Sequence, residues 1–303
     1  MKQSFFHSSV FLAAALLSLT LSARAEEKDF WSATALWKTG NPLFTEKGSR
    51  DFQSEGPMLR SIRVSKHVLR AGETCDTALA KVKNHPIGVP FAFGSPDRFR
   101  GWEKFSDDVD AVEGCSDFPC KVKFNEVETL LISAKPKEVR LAEVENQVEK
   151  RMQDYVKTSH RGGYDLPEDP VDPWKVFVTK GHVLPAGFEK SKPSFYTRKL
   201  KFGEGSYRPL RQMFDERVFT QKGKVVRVAR DVYTAHYFDG WGEWLEARCS
   251  DNGKEIFILQ DLLMEFDLLK NTDFFSRIAR PKMRQGVDQE SVKYQKSQID
   301  SIF

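Results

Sequence analysis

One stretch of the chain gathers side chains able to bind a ligand or move a proton: Asp231-Val232-Tyr233-Thr234-Ala235-His236-Tyr237-Phe238-Asp239-Gly240-Trp241. Side chains alternate between the two faces of a strand. As a strand, this stretch puts His236 beside Val226, Val228, Val232, Thr234 and Phe238, with Asp231, Tyr233 and Tyr237 opposite. Burial among apolar neighbours lowers an imidazole pKa, which makes His236 a candidate base. The plainer alternative is a core histidine satisfied by one partner, because a base also needs a positioned nucleophile or water. The same stretch offers a wall for an apolar ligand: Tyr233, His236, Tyr237, Phe238, Trp241 and, just beyond, Trp244.

Other chemistries find less support. Gly203-Glu204-Gly205-Ser206 lacks the Lys-Ser/Thr of a phosphate-binding loop and reads as a turn. Neither G-x-S-x-G nor H-E-x-x-H occurs, so elbow-type serine hydrolases and zincin proteases lose their usual entry points. Pairing Asp231, Glu243 or Glu246 with a substrate needs geometry. The four cysteines, Cys75, Cys115, Cys120 and Cys249, allow three pairings. Cys115–Cys120, around a Pro-containing loop, and Cys75–Cys249, a long staple, are the favoured set. No ligand set of His and Cys at metal spacing accompanies them, so neither metal nor cofactor is expected. Arg277, Arg280, Lys282 and Arg284 form a basic cluster without an intervening acid. It suits peripheral contact with an anionic membrane surface, or simply the solvated, dipole-favoured cations of a helix face.

These residues sit in a chain that begins like an export signal. Lys2 is followed by the apolar run from Val10 to Leu21 and by Ala23-Arg24-Ala25, with small residues at −3 and −1 of a cleavage site after Ala25. The run is too short to span a bilayer, which takes roughly 20 apolar residues. A periplasmic or secreted location follows, where disulfides persist. The formal charge of +4 falls to +2 without Lys2 and Arg24, and so balanced a chain is not expected to bind nucleic acid.

The remainder divides into a helical and irregular half over 26–157, a Pro/Gly-rich loop or linker over 158–173, and a sheet with a C-terminal helix over 174–303. From 28 to 57 the composition suggests irregular chain over the surface. Leu59 to Leu69 alternates and reads as a strand, and Glu73 to Val82 as a short helix. Asn125 to Ile132 and Val139 to Val156 read as helices, the second carrying an apolar stripe of Leu141, Val144, Val148, Met152, Tyr155 and Val156. Strands are predicted at Trp174–Val178, Ser194–Phe202 and Val225–Phe238, resuming at Glu243–Cys249 after Gly240 and Gly242. Asp251-Asn252-Gly253-Lys254 should turn Glu243–Cys249 into a hairpin with Ile256–Phe266. A helix opens after Thr272-Asp273 and passes Pro281 with a kink or break. The fold class is α+β, a curved antiparallel sheet closed by the C-terminal helix.

Tyr233-Thr234-Ala235-His236-Tyr237-Phe238, followed by an apolar strand and a hairpin, resembles a motif of a family of uncharacterised exported bacterial proteins. Cys115 and Cys120 before Lys121-Val122-Lys123, and Asp267-Leu268-Leu269 before a basic helix, agree with it. The resemblance implies export and no particular reaction. The second half is also loosely similar to the helix-grip fold of START-like lipid-binding domains. The expected function is a non-catalytic, exported binding module for an apolar or amphipathic ligand. The alternatives are an envelope hydrolase using His236 with a nearby carboxylate, and a protein–protein interaction module docking through Trp31 and Trp37.

Overall fold

Gly253 holds φ at 66° in the turn after Cys249, a left-handed conformation that glycine enters without steric cost. Asn252 Oδ1 accepts the Lys254 amide at 2.9 Å and closes the turn. The flanking segments pair antiparallel from Cys249↔Ile256 to Phe238↔Phe266, so the predicted hairpin is present. The computed structural model describes residues 49–55, 57–102, 124–158, 172–201, 210–235, 238–266, 269–270 and 274–303. The expected leader at 1–25, Trp31 and Trp37, Cys115 and Cys120, His236 and Tyr237, and most of the 158–173 segment lie outside them.

In chain order the elements are β1 (Ser49–Glu55), β2 (Met58–Val68), α1 (Cys75–Asn84), β3 (Val89–Pro90), α2 (Glu126–Ser133), α3 (Arg140–Thr158) and α4 (Pro173–Thr179). There follow β4 (Ser194–Leu200), β5 (Leu210–Gln221), β6 (Lys224–Thr234), β7 (Phe238–Cys249), β8 (Glu255–Phe266) and α5 (Phe274–Ile302). The strands form one curved antiparallel sheet in the order β1-β2-β8-β7-β6-β5-β4-β3, and the fold is α+β as expected. The chain before residue 158 contributes β1 and β2 to it, and β2 pairs with β8 along its whole length.

Strand alternation sorts the side chains onto two covered faces. On the helix face, Leu59, Phe214, Ala229, Trp241, Leu262 and Met264 pack with Val287 and Met283 of α5. Further along it, Leu245, Ala247, Ile256 and Ile258 meet Ala78, Leu79 and Val82 of α1 and Ile299 and Ile302 of α5. The opposite face carries α3 through Val144, Val148, Met152 and Tyr155, the stripe predicted from its period save for Val156, which is exposed, and α4 through Trp174 and Phe177. With both faces covered, every residue of β6 is buried, charged ones included. The helix starts are capped locally: Thr74 accepts from the Thr77 amide and Asn125 from the Glu128 amide. Cys75, opening α1, is bridged to Cys249 at the end of β7, with 5.9 Å between their Cα atoms.

Four expectations are corrected. Trp174–Val178 is not a strand but most of α4: Asp172 caps it by accepting from the Trp174 amide, and Pro173 opens it. Val225–Phe238 is not one strand, because β6 ends at Thr234 and the chain returns as β7, whose Gly242 pairs Arg230. Gly242 does not interrupt β7. It admits α4, since a Cβ there would lie 2.4 Å from the Pro173 Cβ and 2.9 Å from the Phe177 ring. Residues 49–55 form β1 where irregular chain was expected. The sequence reading also missed β5 altogether, and α5 runs as one helix through Pro281.

Candidate functional site

The alternation expected around His236 does not survive in β6. The register against β5 shifts between Met213 and Phe214, leaving Val232 as the extra residue of a bulge. Val232 and Tyr233 therefore share one cluster, and Asp231 Oδ1 accepts the Trp241 amide at 2.8 Å.

The ligand-wall candidates are divided between the two faces. Tyr233 lies under α3, near Trp102 and Phe124 at centroid distances of 5.8 and 5.9 Å. Trp244 stands on the same side of the sheet, against Phe177 and the imidazole of His182, the latter at 4.3 Å. Phe238 and Trp241 occupy the helix face, 5.1 Å apart and edge-to-face. Trp241 and Trp244, three apart on one strand, must take opposite faces. His236 and Tyr237 lie outside the described residues.

The helix face carries a polar row between its two apolar bands. Arg198 of β4, Gln212 of β5, Glu243 of β7, Gln260 of β8 and Ser61 of β2 contribute from the sheet; Tyr294, Gln295 and Gln298 contribute from α5. Ser61 Oγ donates to Gln295 Oε1 at 3.1 Å, and Gln295 Nε2 donates to the Ser61 carbonyl at 2.8 Å. Gln260 Nε2 donates to the Gln295 carbonyl at 3.0 Å and to Gln298 Oε1 at 2.7 Å.

Arg198 and Glu243 form the centre of this row. Arg198 Nη1 lies 2.7 Å from Glu243 Oε1, with both side chains under 10% exposed. The same nitrogen donates to the Tyr294 hydroxyl, and Nε donates to Gln212 Oε1 at 2.9 Å. The carboxylate also accepts from the Tyr294 hydroxyl at 2.8 Å and from Trp241 Nε1 at 2.8 Å. The guanidinium lies over three rings: Phe214 at 4.2 Å, Tyr294 at 5.0 Å and Trp241 at 5.3 Å. Its Nη2 is buried with no hydrogen-bond partner among the described residues. Burial works against the Arg198 charge, and Glu243 and Tyr294 more than offset it, holding its pKa above the ordinary value. Burial also pushes the Tyr294 phenol well above its ordinary value, with Arg198 opposing and Glu243 adding to the rise.

A second buried group sits on the opposite face. His182 Nε2 lies 2.6 Å from Asp261 Oδ2, and Arg60 Nε donates to the same carboxylate at 3.0 Å. Burial alone would raise the Asp261 pKa; the bonds and charges of His182 and Arg60 reverse that and lower it. Here is a histidine–carboxylate pair of the kind considered for His236, but Phe177 and Trp244 seal the imidazole, which is 1% exposed. Its Nδ1 has no hydrogen-bond partner among the described residues.

Among the described residues no group of three or more His, Cys, Asp or Glu is placed to hold a metal ion, and no helix is long and apolar enough to cross a membrane. Within the basic cluster Lys282 is exposed, while Arg280 and Arg284, one turn apart, are half-buried. Sequence reasoning missed Arg198, Tyr294 and His182, because their partners come from distant elements and no local spacing marks them. Set against protein-family models, curated proteins and solved structures, the chain finds no match, and its site is read from its own residues.

Proposed function

We propose that the protein is an exported, non-catalytic binding module for an apolar or amphipathic small molecule, held between the sheet and the amino-terminal half of α5. The observation that carries this reading is the composition of that interface. Phe214, Phe238, Trp241, Leu262, Met264 and Phe266 form an apolar band, rimmed by the half-buried Ile87, Leu200, Met283 and Tyr294. It adjoins a few oriented polar groups, the combination that small-molecule sites use. The Cys75–Cys249 bridge supports export, since such bridges persist in oxidising compartments.

The hydrolase reading has less behind it. Two histidines meet a carboxylate among the described residues: His182, on Asp261, is sealed from solvent, and His67, 3.3 Å from Glu73, has its ring stacked on Phe303. Native mass spectrometry of protein purified from its own envelope tests the proposal, followed by delipidation and titration with alkyl compounds read by tryptophan fluorescence. A co-purifying amphiphile, or saturable binding that Leu200→Trp blocks while the fold persists, is the expected result. No bound molecule and no response to any alkyl chain would overturn the proposal.

A further inference from the structure

Resting on the reading that the helix–sheet band takes a ligand, the polar row narrows the ligand's chemistry. Arg198 lies on β4 two residues from Leu200, and its guanidinium is over Phe214 and Trp241, both members of the apolar band. Three of its contacts are fixed: Nε on Gln212, and Nη1 on Glu243 and Tyr294. Nη2 remains, on a side chain 8% exposed. An unmatched buried donor carries a desolvation cost until an acceptor meets it.

The charge of the row is already balanced. Arg198 faces Glu243, and Arg227 of β6, also on this face, donates to Glu216 Oε1 at 2.8 Å, while Arg63 of β2 stands farther off, across from Gln260. The Glu243 carboxylate is also surrounded by donors from Tyr294, Trp241 and Gln298. An anionic head brought to Nη2 would be a second negative charge beside Glu243, buried with one cation between two anions. A neutral oxygen would accept the Nη2 proton without that cost.

We propose that Arg198 Nη2 anchors a neutral oxygen acceptor, such as an ester, ketone or ether oxygen, at the end of an alkyl chain lying in the apolar band. The site accordingly disfavours a carboxylate or phosphate head. Glu243 is the specificity-determining residue, because it cancels the charge that would otherwise recruit an anion.

The experiment compares three probes of matched chain length on the delipidated full-length protein near neutral pH: a fatty-acid methyl ester, the free fatty acid and the plain alkane. Wild type should bind the ester on the order of tenfold or more tighter than the acid, and tighter than the alkane. Arg198→Met should erase the advantage of ester over alkane. Glu243→Gln leaves the guanidinium uncancelled and should invert the order in favour of the acid. Wild type binding the acid as tightly as the ester would overturn this inference and leave the binding-module reading standing. An ester bound no better than the alkane would do the same. Failure of all three probes to bind would overturn that underlying reading instead. Should Glu243→Gln not fold, as judged by circular dichroism, the wild-type ester-to-acid ratio decides the matter alone.

Discussion

Removing one member of the Arg198–Glu243 pair should cost at least as much as removing both. Both side chains are under 10% exposed, and stripping a buried charge of its partner costs about 3–5 kcal/mol. Arg198→Met keeps the stem under α5 but leaves Glu243 with only the Tyr294, Trp241 and Gln298 donors. Those bonds keep the cost near the lower end, about 3 kcal/mol. Glu243→Gln leaves the guanidinium charge with a neutral amide oxygen, again about 3 kcal/mol. In the double variant neither charge remains. Its cost should be no more than the larger single, a coupling of about 3 kcal/mol or more. Urea unfolding followed by tryptophan fluorescence, with the denaturant slope unchanged across the four proteins, measures this cycle. Singles that each cost under about 1 kcal/mol would mark the pair as an ordinary surface bridge. Singles that add to the double within about 0.5 kcal/mol would show that the two groups do not interact. Either result would refute the buried-pair reasoning.

Three further outcomes follow from other parts of the fold. Gly242→Ala places a Cβ 2.4 Å from Pro173 and should destabilise by about 1–3 kcal/mol through overpacking of α4 against β7; an unchanged urea midpoint would contradict that contact. Reduction should release thiols at Cys75 and Cys249 and lower the melting temperature. For a separation of 174 residues the chain-entropy figure is an upper bound of about 5 kcal/mol, and alkylation of both cysteines without reductant would refute the bridge. At acid pH, the Lys81 bond, then the Arg70 amide, hold the Glu73 carboxyl down to about 2 from 4.5. Because its folded pKa is depressed, its stabilisation is complete above about 4.5 and is lost as pH falls towards about 2. Melting temperatures across that window should fall less steeply in Glu73→Gln than in wild type, and parallel curves would contradict the assignment.

What could be read from the sequence depended on whether an element's two sides differ. In α3 they do: Val144, Val148 and Met152 are buried and Glu145 and Glu149 are not, so a helical period stands out. In β5 they do not. Its Asp215, Glu216 and Arg217 are as buried as Met213 and Phe214. Glu216 meets Arg227 on the helix face, while Asp215 accepts from Tyr155 on the other. Paired charges in a covered strand look like a solvated segment when the partners are unknown. The apolar run in α4 hid a different signal, the Asp172-Pro173 start, which outweighs β-branched residues in so short an element. The described members of the candidate wall fall on both faces of the sheet, because alternation carries across neither the bulge nor the return between β6 and β7. Arg198 and Glu243 meet only because β4 and β7 belong to one sheet, with β5 and β6 between them.

The same row divides α5 into halves that should behave differently. Beyond Ser291 the helix is held by directional bonds: Gln295 exchanges two with Ser61, and Gln260 reaches both Gln295 and Gln298. Ile299 and Ile302 add apolar contacts with α1 and β8. Amide side chains bonded this way fix the register of a helix as well as its distance from the sheet. Ahead of Ser291, Val287 is buried on the apolar band and Met283 is half-buried there, while Pro281 lacks the amide that would bond one turn back. A ligand entering that band would displace the amino-terminal half of α5 and leave the other in place. Hydrogen exchange in delipidated protein should therefore show amides of 278–290 exchanging faster than those of 291–302, and ester binding should slow the first set selectively. Equal protection along the whole helix, unchanged by ligand, would remove the opening that the binding site requires.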